Sequence, residues 1–166
     1  SGVFYSTDKG YTWECLGMKG NIQAMTTIDT VLLAGVNSYL YYSRDQGLAW
    51  DRIDMGQHNI NMFFKYDNKT FAGTNLGVML VDDKDFSLED RSNGMEGEYH
   101  VVWDMLSIDT IMFCGVAYDG MYRSSDEGLN WTRVSLPSFM VGVHNIINYH
   151  DTLIITDDCN GRVYFS

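Results

Sequence analysis

Carboxylates are the side chains with most scope for chemistry here: 22 Asp plus Glu against 11 Lys plus Arg in 166 residues. Asp104, within HVVWDML, sits on an expected innermost strand where corresponding units carry Ala24 and Met62. Hydrolysis of a neutral glycan takes two opposed carboxylates roughly 5–10 Å apart. Glu96, Glu98, Asp157 and Asp158 are the candidates to face Asp104. The simpler reading, and the favoured one, is a channel-facing carboxylate solvated by internal water. His58 and His100 each come just before such a strand, with His144 nearby. Three imidazoles could hold a metal, but His144 is out of register, so these read as loop or rim histidines. DDCNG, residues 157–161, lacks the downstream bidentate glutamate of a calcium loop. Cys15, Cys114 and Cys159 match neither a zinc site nor a disulfide framework, and read as buried, inert thiols. No metal and no cofactor is expected.

The formal charge of −11 argues against nucleic acid, because counterion release needs clustered cations. Anionic lipid is excluded on the same ground, and no apolar run approaches the roughly 18–20 residues of a membrane helix. A 45% hydrophobic, 14% aromatic chain of this length suits one globular domain, residues 1–166, with a real core.

What must position these residues is a repeat. STDKGYTW (6–13), SRDQGLAW (43–50) and SSDEGLNW (124–131) all read S-x-D-x-G-x-x-W. VDDKDFSL (81–88) is a worn copy: it keeps Asp83, puts Asp85 at the glycine position and ends in Leu88. Aspartate tolerates positive φ, so the same turn is expected there. A second phrase, IDTVLLAG, YDNKTFAG, IDTIMFCG and HDTLIITD, places Asp29, Asp67, Asp109 and Asp151 in register, 38, 42 and 42 residues apart. Each period reads as four short strands, in the second unit 22–27, 31–36, 39–43 and 49–53, which is what a propeller blade requires. Met25, Met105, Phe63 and Ile147 are aligned as equivalent inner-strand positions that pack between blades.

The three complete motifs resemble Asp-box (BNR) repeats, which occur in sialidases, sortilin-type receptors, some xyloglucan-cleaving enzymes and secreted bacterial repeat proteins. The resemblance implies an all-β propeller or partial propeller of about four four-stranded blades, with each box in the hairpin between third and fourth strands. It also implies an extracytoplasmic or secreted location. Ser6, Asp8, Gly10 and Trp13, Ser43, Asp45, Gly47 and Trp50, and Ser124, Asp126, Gly128 and Trp131, with Asp83 in the worn copy, are read as structural. Short hydroxyls and carboxylates fold a turn onto its own backbone, glycine supplies positive φ, and tryptophan covers the turn. A motif recurring in every blade cannot converge on one active site. A sialidase would also need a three-arginine clamp. Of six arginines, Arg44 and Arg123 fall in boxes or beside them, and Arg52 and Arg133 just after, leaving Arg91 and Arg162.

SGVFYS at the start aligns with GRVYFS at the end, so a segment of a longer repeat array is expected. Ligands are expected on the rim opposite the boxes, where loops lead into first strands and join second to third strands. That places Met18, Met55, His58, Glu98, Tyr99, His100, Tyr118, Asp157 and Asp158 at the candidate binding face. Met18, Met55, Met95 and Met140 together would make a soft apolar contact surface there. The expected function is non-catalytic recognition or scaffolding, with a protein or glycan partner, neighbouring repeats or a second copy. A glycoside hydrolase fragment and a structural subunit of an extracellular assembly are the alternatives.

Overall fold

The computed structural model describes residues 2–97, 100–150 and 152–157 in full and residues 163–165 as backbone. All secondary structure among the described residues is β, arranged as successive meanders. The chain divides into two compact units, residues 1–60 and 61–166.

In the first unit, β1 (Gly2–Tyr5) and β2 (Glu14–Lys19) form a hairpin, and β3 (Ile22–Ile28), β4 (Val31–Val36), β5 (Tyr39–Ser43) and β6 (Asp51–Asp54) form a four-stranded sheet. Its core joins Val3, Met18, Ala34 and Val36, flanked by Leu16, Tyr41 and Trp50. The strand limits expected from the sequence differ from these by two residues at most.

The second unit holds three blades. The first is β7 (Ile60–Tyr66), β8 (Lys69–Thr74), β9 (Gly77–Val81) and β10 (Leu88–Asp90). The next is β11 (Val102–Ile108), β12 (Ile111–Val116), β13 (Gly120–Ser124) and β14 (Thr132–Arg133). The last comprises β15 (Val143–Tyr149), β16 (Thr152–Asp157) and β17 (Val163–Phe165). Second strands such as KTFAGT and IMFCGV are largely buried, which accounts for the continuous apolar run of the latter. Their glycine admits the neighbouring inner strand: a Cβ on Gly73 would lie 2.6 Å from Val102 Cγ1, and one on Gly115 2.8 Å from the Val143 carbonyl oxygen.

The boxes fold as local chemistry dictates. Ser6, Ser43 and Ser124 Oγ accept from the amides of Gly10, Gly47 and Gly128 at 2.8, 2.7 and 2.9 Å. Asp8, Asp45 and Asp126 accept from the amides of Thr12, Ala49 and Asn130, each at 2.9 Å. Lys9–Gly10, Gln46–Gly47 and Glu127–Gly128 form consecutive left-handed pairs.

The worn copy closes differently. Asp82, not Asp83, accepts from the Lys84 and Asp85 amides at 2.8 and 3.1 Å, and Phe86, not Asp85, takes positive φ, at 62°. Val81 offers no hydroxyl to hold an amide four residues on, so the hairpin tightens, with the Asp82 amide bonded to the Ser87 carbonyl at 2.9 Å. Phe86 is then buried to 1% exposure.

The last blade is offset by one residue from the expected alignment. His150 takes the left-handed position held by Asp29, Asp67 and Asp109, and Ile146 pairs with Ile155 as Met25 pairs with Ala34 and Met105 with Cys114. Ile146 is therefore the inner-strand equivalent, and Ile147 faces outward at 54% exposure. A one-residue shift exchanges the faces of a strand, and burial of Ile146 and Ile155 fixes which register is adopted. By the same pairing Asp157 corresponds to Val36 and Val116, opposite Val143.

Candidate functional site

Asp104 projects from β11 beside a register shift that interrupts the ladder between Val102 and Asp104. Its Oδ2 accepts from the Ile146 amide of β15 at 2.7 Å and its Oδ1 from the Met105 amide at 2.9 Å. Burial pushes its carboxyl above the usual range, opposed by those two amides and by His144. A carboxylate tied to a neighbouring blade's backbone is a blade-to-blade fastener, a role the sequence reading did not assign to Asp104. On the adjoining inner strand Asn61 Nδ2 donates to the Val102 carbonyl at 3.1 Å, a related tie made by an amide. Of the proposed opposing carboxylates, Glu96 is bonded to Tyr122 through its backbone, Asp157 is buried, and Glu98 and Asp158 lie outside the described residues.

A second cluster centres on Asp119, in the turn joining β12 to β13. Tyr122 donates its hydroxyl to Asp119 Oδ2 at 2.7 Å and accepts from the Glu96 amide at 3.2 Å. Burial, and then the bond to Asp119, push the Tyr122 phenol up to about 12. Arg133 Nη2 lies 3.2 Å from Asp119 Oδ1, and His100 Nδ1 3.9 Å from Oδ2. Among the described residues that buried His100 nitrogen has no hydrogen bond. Just ahead of Asp119, Tyr118 stands 71% exposed with φ of 59°. A bulky residue in left-handed conformation is strained and persists only where its surroundings hold it. Here the Ala117 amide is bonded to the Val101 carbonyl at 2.9 Å, and a Cβ on Gly142 would come within 2.4 Å of the Tyr118 nitrogen. Phe139 and Val141 are exposed on that adjoining segment, and Trp103 stacks on His144 with ring centroids 5.1 Å apart.

Sequence reasoning placed Tyr118 and His100 here but missed Asp119, Tyr122, Arg133 and Trp103. Trp103 was legible as a large aromatic alternating with the buried Val102. Asp119 was not, because its ionic partners His100 and Arg133 are distant in sequence. His58 is half-buried, its amide bonded to the Met55 carbonyl at 3.2 Å in the other unit. Tyr99 lies outside the described residues.

The methionine surface does not exist as expected: Met18 and Met55 are buried, and Met95 and Met140 pack against separate cores. Part of the 91–99 connector is likewise committed to structure, its Arg91 and Asn93 carbonyls accepting from the Trp131 indole and amide at 2.7 and 2.8 Å. Cys114 is buried and its thiol raised by desolvation, but Cys15 is exposed, contrary to the buried-thiol reading. Cys159 lies outside the described residues. Among those residues no group of His, Cys, Asp and Glu is placed to hold a metal ion, and no helix is long and apolar enough to cross a membrane.

The BNR/Asp-box repeat model matches residues 4–14, within the first hairpin and its box. No curated protein matches the sequence. Among solved structures the chain is similar to YCF48 bound to D1 peptide, at 15% identity and TM-score 0.64, over 92% of this chain and 53% of that one. It is similar to the extracellular domain of BT4673 from B. thetaiotaomicron, at 13% identity and TM-score 0.70, over 98% and 25%. It is similar to the GH74 enzyme of Niastella koreensis, at 18% identity and TM-score 0.61, over 98% and 26%. The chain thus spans about half or a quarter of these proteins. The likeness shows fold alone: four-stranded meander blades of the β-propeller class.

Proposed function

We propose that this Asp-box (BNR) repeat propeller chain is a non-catalytic recognition module that works outside the cytoplasm and reads a protein or glycan partner at the Tyr118 rim. The observation that carries this reading is Tyr118 itself, an exposed aromatic held at positive φ beside the Asp119 network. Bulky residues held in the left-handed region are enriched at ligand-contacting turns, and exposed aromatics supply contact area at low entropic cost. The extracellular BT4673 domain and the peptide-bound YCF48 structure supply precedent for location and for recognition on a similar fold.

The glycoside hydrolase alternative leans on the raised Asp104 carboxyl and the GH74 likeness. Against it, both Asp104 oxygens are engaged by backbone amides. The test is an array of immobilised extracellular glycans and peptides, probed with the wild type and Tyr118→Ala. A ligand lost at least tenfold on Tyr118→Ala, with unchanged melting temperature, supports the reading. Glycan cleavage abolished by Asp104→Ala, with Tyr118→Ala silent, overturns it.

A further inference from the structure

We infer that the groove between β13 and β16, roofed by residues 134–140, binds an extended peptide bearing a carboxylate next to a large apolar side chain. This deepens the recognition reading by naming a ligand chemistry for the blade that carries Tyr118.

The groove contains a cavity of about 570 Å³, within the range of sites that enclose a drug-sized ligand or a bulky side chain with its backbone. Met121 and Ile155 form its buried floor, while Phe113, Leu136, Met140 and Leu153 line it half-buried. Apolar surface left partly wet in a concave site gains free energy when a matching side chain covers it. A second cavity of about 400 Å³ shares Arg133, Leu136 and Met140 with the first but is lined also by Gly120 and Ser138. Two cavities lined by the same 133–140 segment, the first mainly apolar and the second mainly polar, suit an elongated ligand better than a compact one.

Charge selects the class of ligand. The chain has twice as many acidic as basic residues, yet Arg123 and Arg133 both line the apolar cavity. Arg133 is oriented by Asp119 at 3.2 Å and remains half-exposed. Arg123 is exposed and has no ion pair among the described residues. Asp126, which shares a smaller cavity with it, is engaged by Ser124 and Asn130. A guanidinium presents paired donors matched to a carboxylate. Two of them above an apolar floor complement an acidic residue flanking an aromatic or leucine side chain.

The experiment uses the full chain and fluorescein-labelled eight-residue peptides that alternate Glu with Phe, read by fluorescence anisotropy. Controls replace Glu by Lys, or Phe by Ala. Expected are saturable binding of the Glu/Phe peptide, at least tenfold weakening in either control, and at least tenfold weakening in Arg123→Gln at an unchanged melting temperature. Binding should also weaken as salt is raised. No saturable binding, or equal binding to Arg123→Gln, overturns the inference. So does decanoate displacing the peptide at equal concentration, which would make the site one for small amphipathic acids. Loss in Arg123→Gln with Tyr118→Ala silent would keep the groove and remove the Tyr118 rim. The reverse pattern would remove the groove alone.

Discussion

The hairpins at 81–88 and 124–131 occupy the same place in adjacent blades, yet they close by different means. In the later one, Ser124 and Asp126 take up the amides of Gly128 and Asn130, two left-handed residues turn the chain, and Trp131 is buried to 3%. In the earlier one, Asp82 does the bonding, a single residue turns left-handed, and that residue, Phe86, is the buried plug. Common to both is a buried aromatic sealing the hairpin; the Ser/Asp/Gly signature is one way to deliver it. The first box shows the converse. Its internal bonds are intact, but Trp13 reaches only its own Gly10 carbonyl at 3.1 Å and stays 62% exposed, whereas Trp131 bonds the Arg91 carbonyl of the preceding blade's connector.

The largest effect should come from the plugs. Trp131→Ala and Phe86→Ala should each cost about 3–5 kcal/mol, the usual range for deleting a buried aromatic, measured by urea unfolding of the whole chain. A small loss at Phe86 alone would mean the tightened hairpin contributes little. Ser124→Ala should follow at about 1–3 kcal/mol, because the buried Gly128 amide loses its acceptor. The same substitution at Ser87, which lacks that role, gives the baseline.

Acid sharpens the comparison further. Asp8 is lowered to about 2, chiefly by the Thr12 hydroxyl, and Asp45 and Asp126 are lowered by the Ala49 amide and the Asn130 side chain respectively. For carboxylates depressed on folding, the stabilisation is present above the unfolded value near 4 and is lost as pH falls through the folded value. Unfolding midpoints should therefore drop between pH 4 and 2, and replacing all three by Asn should flatten that limb. Asp104 has the opposite sign: with its carboxyl raised by burial, ionisation opposes folding as pH rises through its folded value. The smallest effect belongs to Trp13→Ala, within about 0.5 kcal/mol, as for other exposed positions.

Fold was legible because it rests on local chemistry. A hydroxyl two residues before a carboxylate and four before a glycine encodes its own turn, and a Gly in the second strand marks where the next inner strand approaches. Residue-level register was less legible where two readings competed. His150 and Asp151 can both occupy the hairpin turn by type, and only packing of Ile146 against its neighbours decides. The site was least legible of all. Asp119, Tyr122 and Arg133 meet through sheet pairing, and Asp104 finds its amide 42 residues away. Met18, which lies in β2 rather than in a loop, and Met55 turn inward through packing that the sequence pattern does not reveal.

That the box carboxylates act as hairpin-forming groups is tested most directly by paired urea unfolding of Asp126→Asn and Asp83→Asn. Among the described residues Asp83, though aligned with Asp126, makes no side-chain hydrogen bond. A clear fall in the Asp126→Asn midpoint at constant m-value, with Asp83→Asn matching the wild type, is the expected result. Equal midpoints for the two variants would contradict the account.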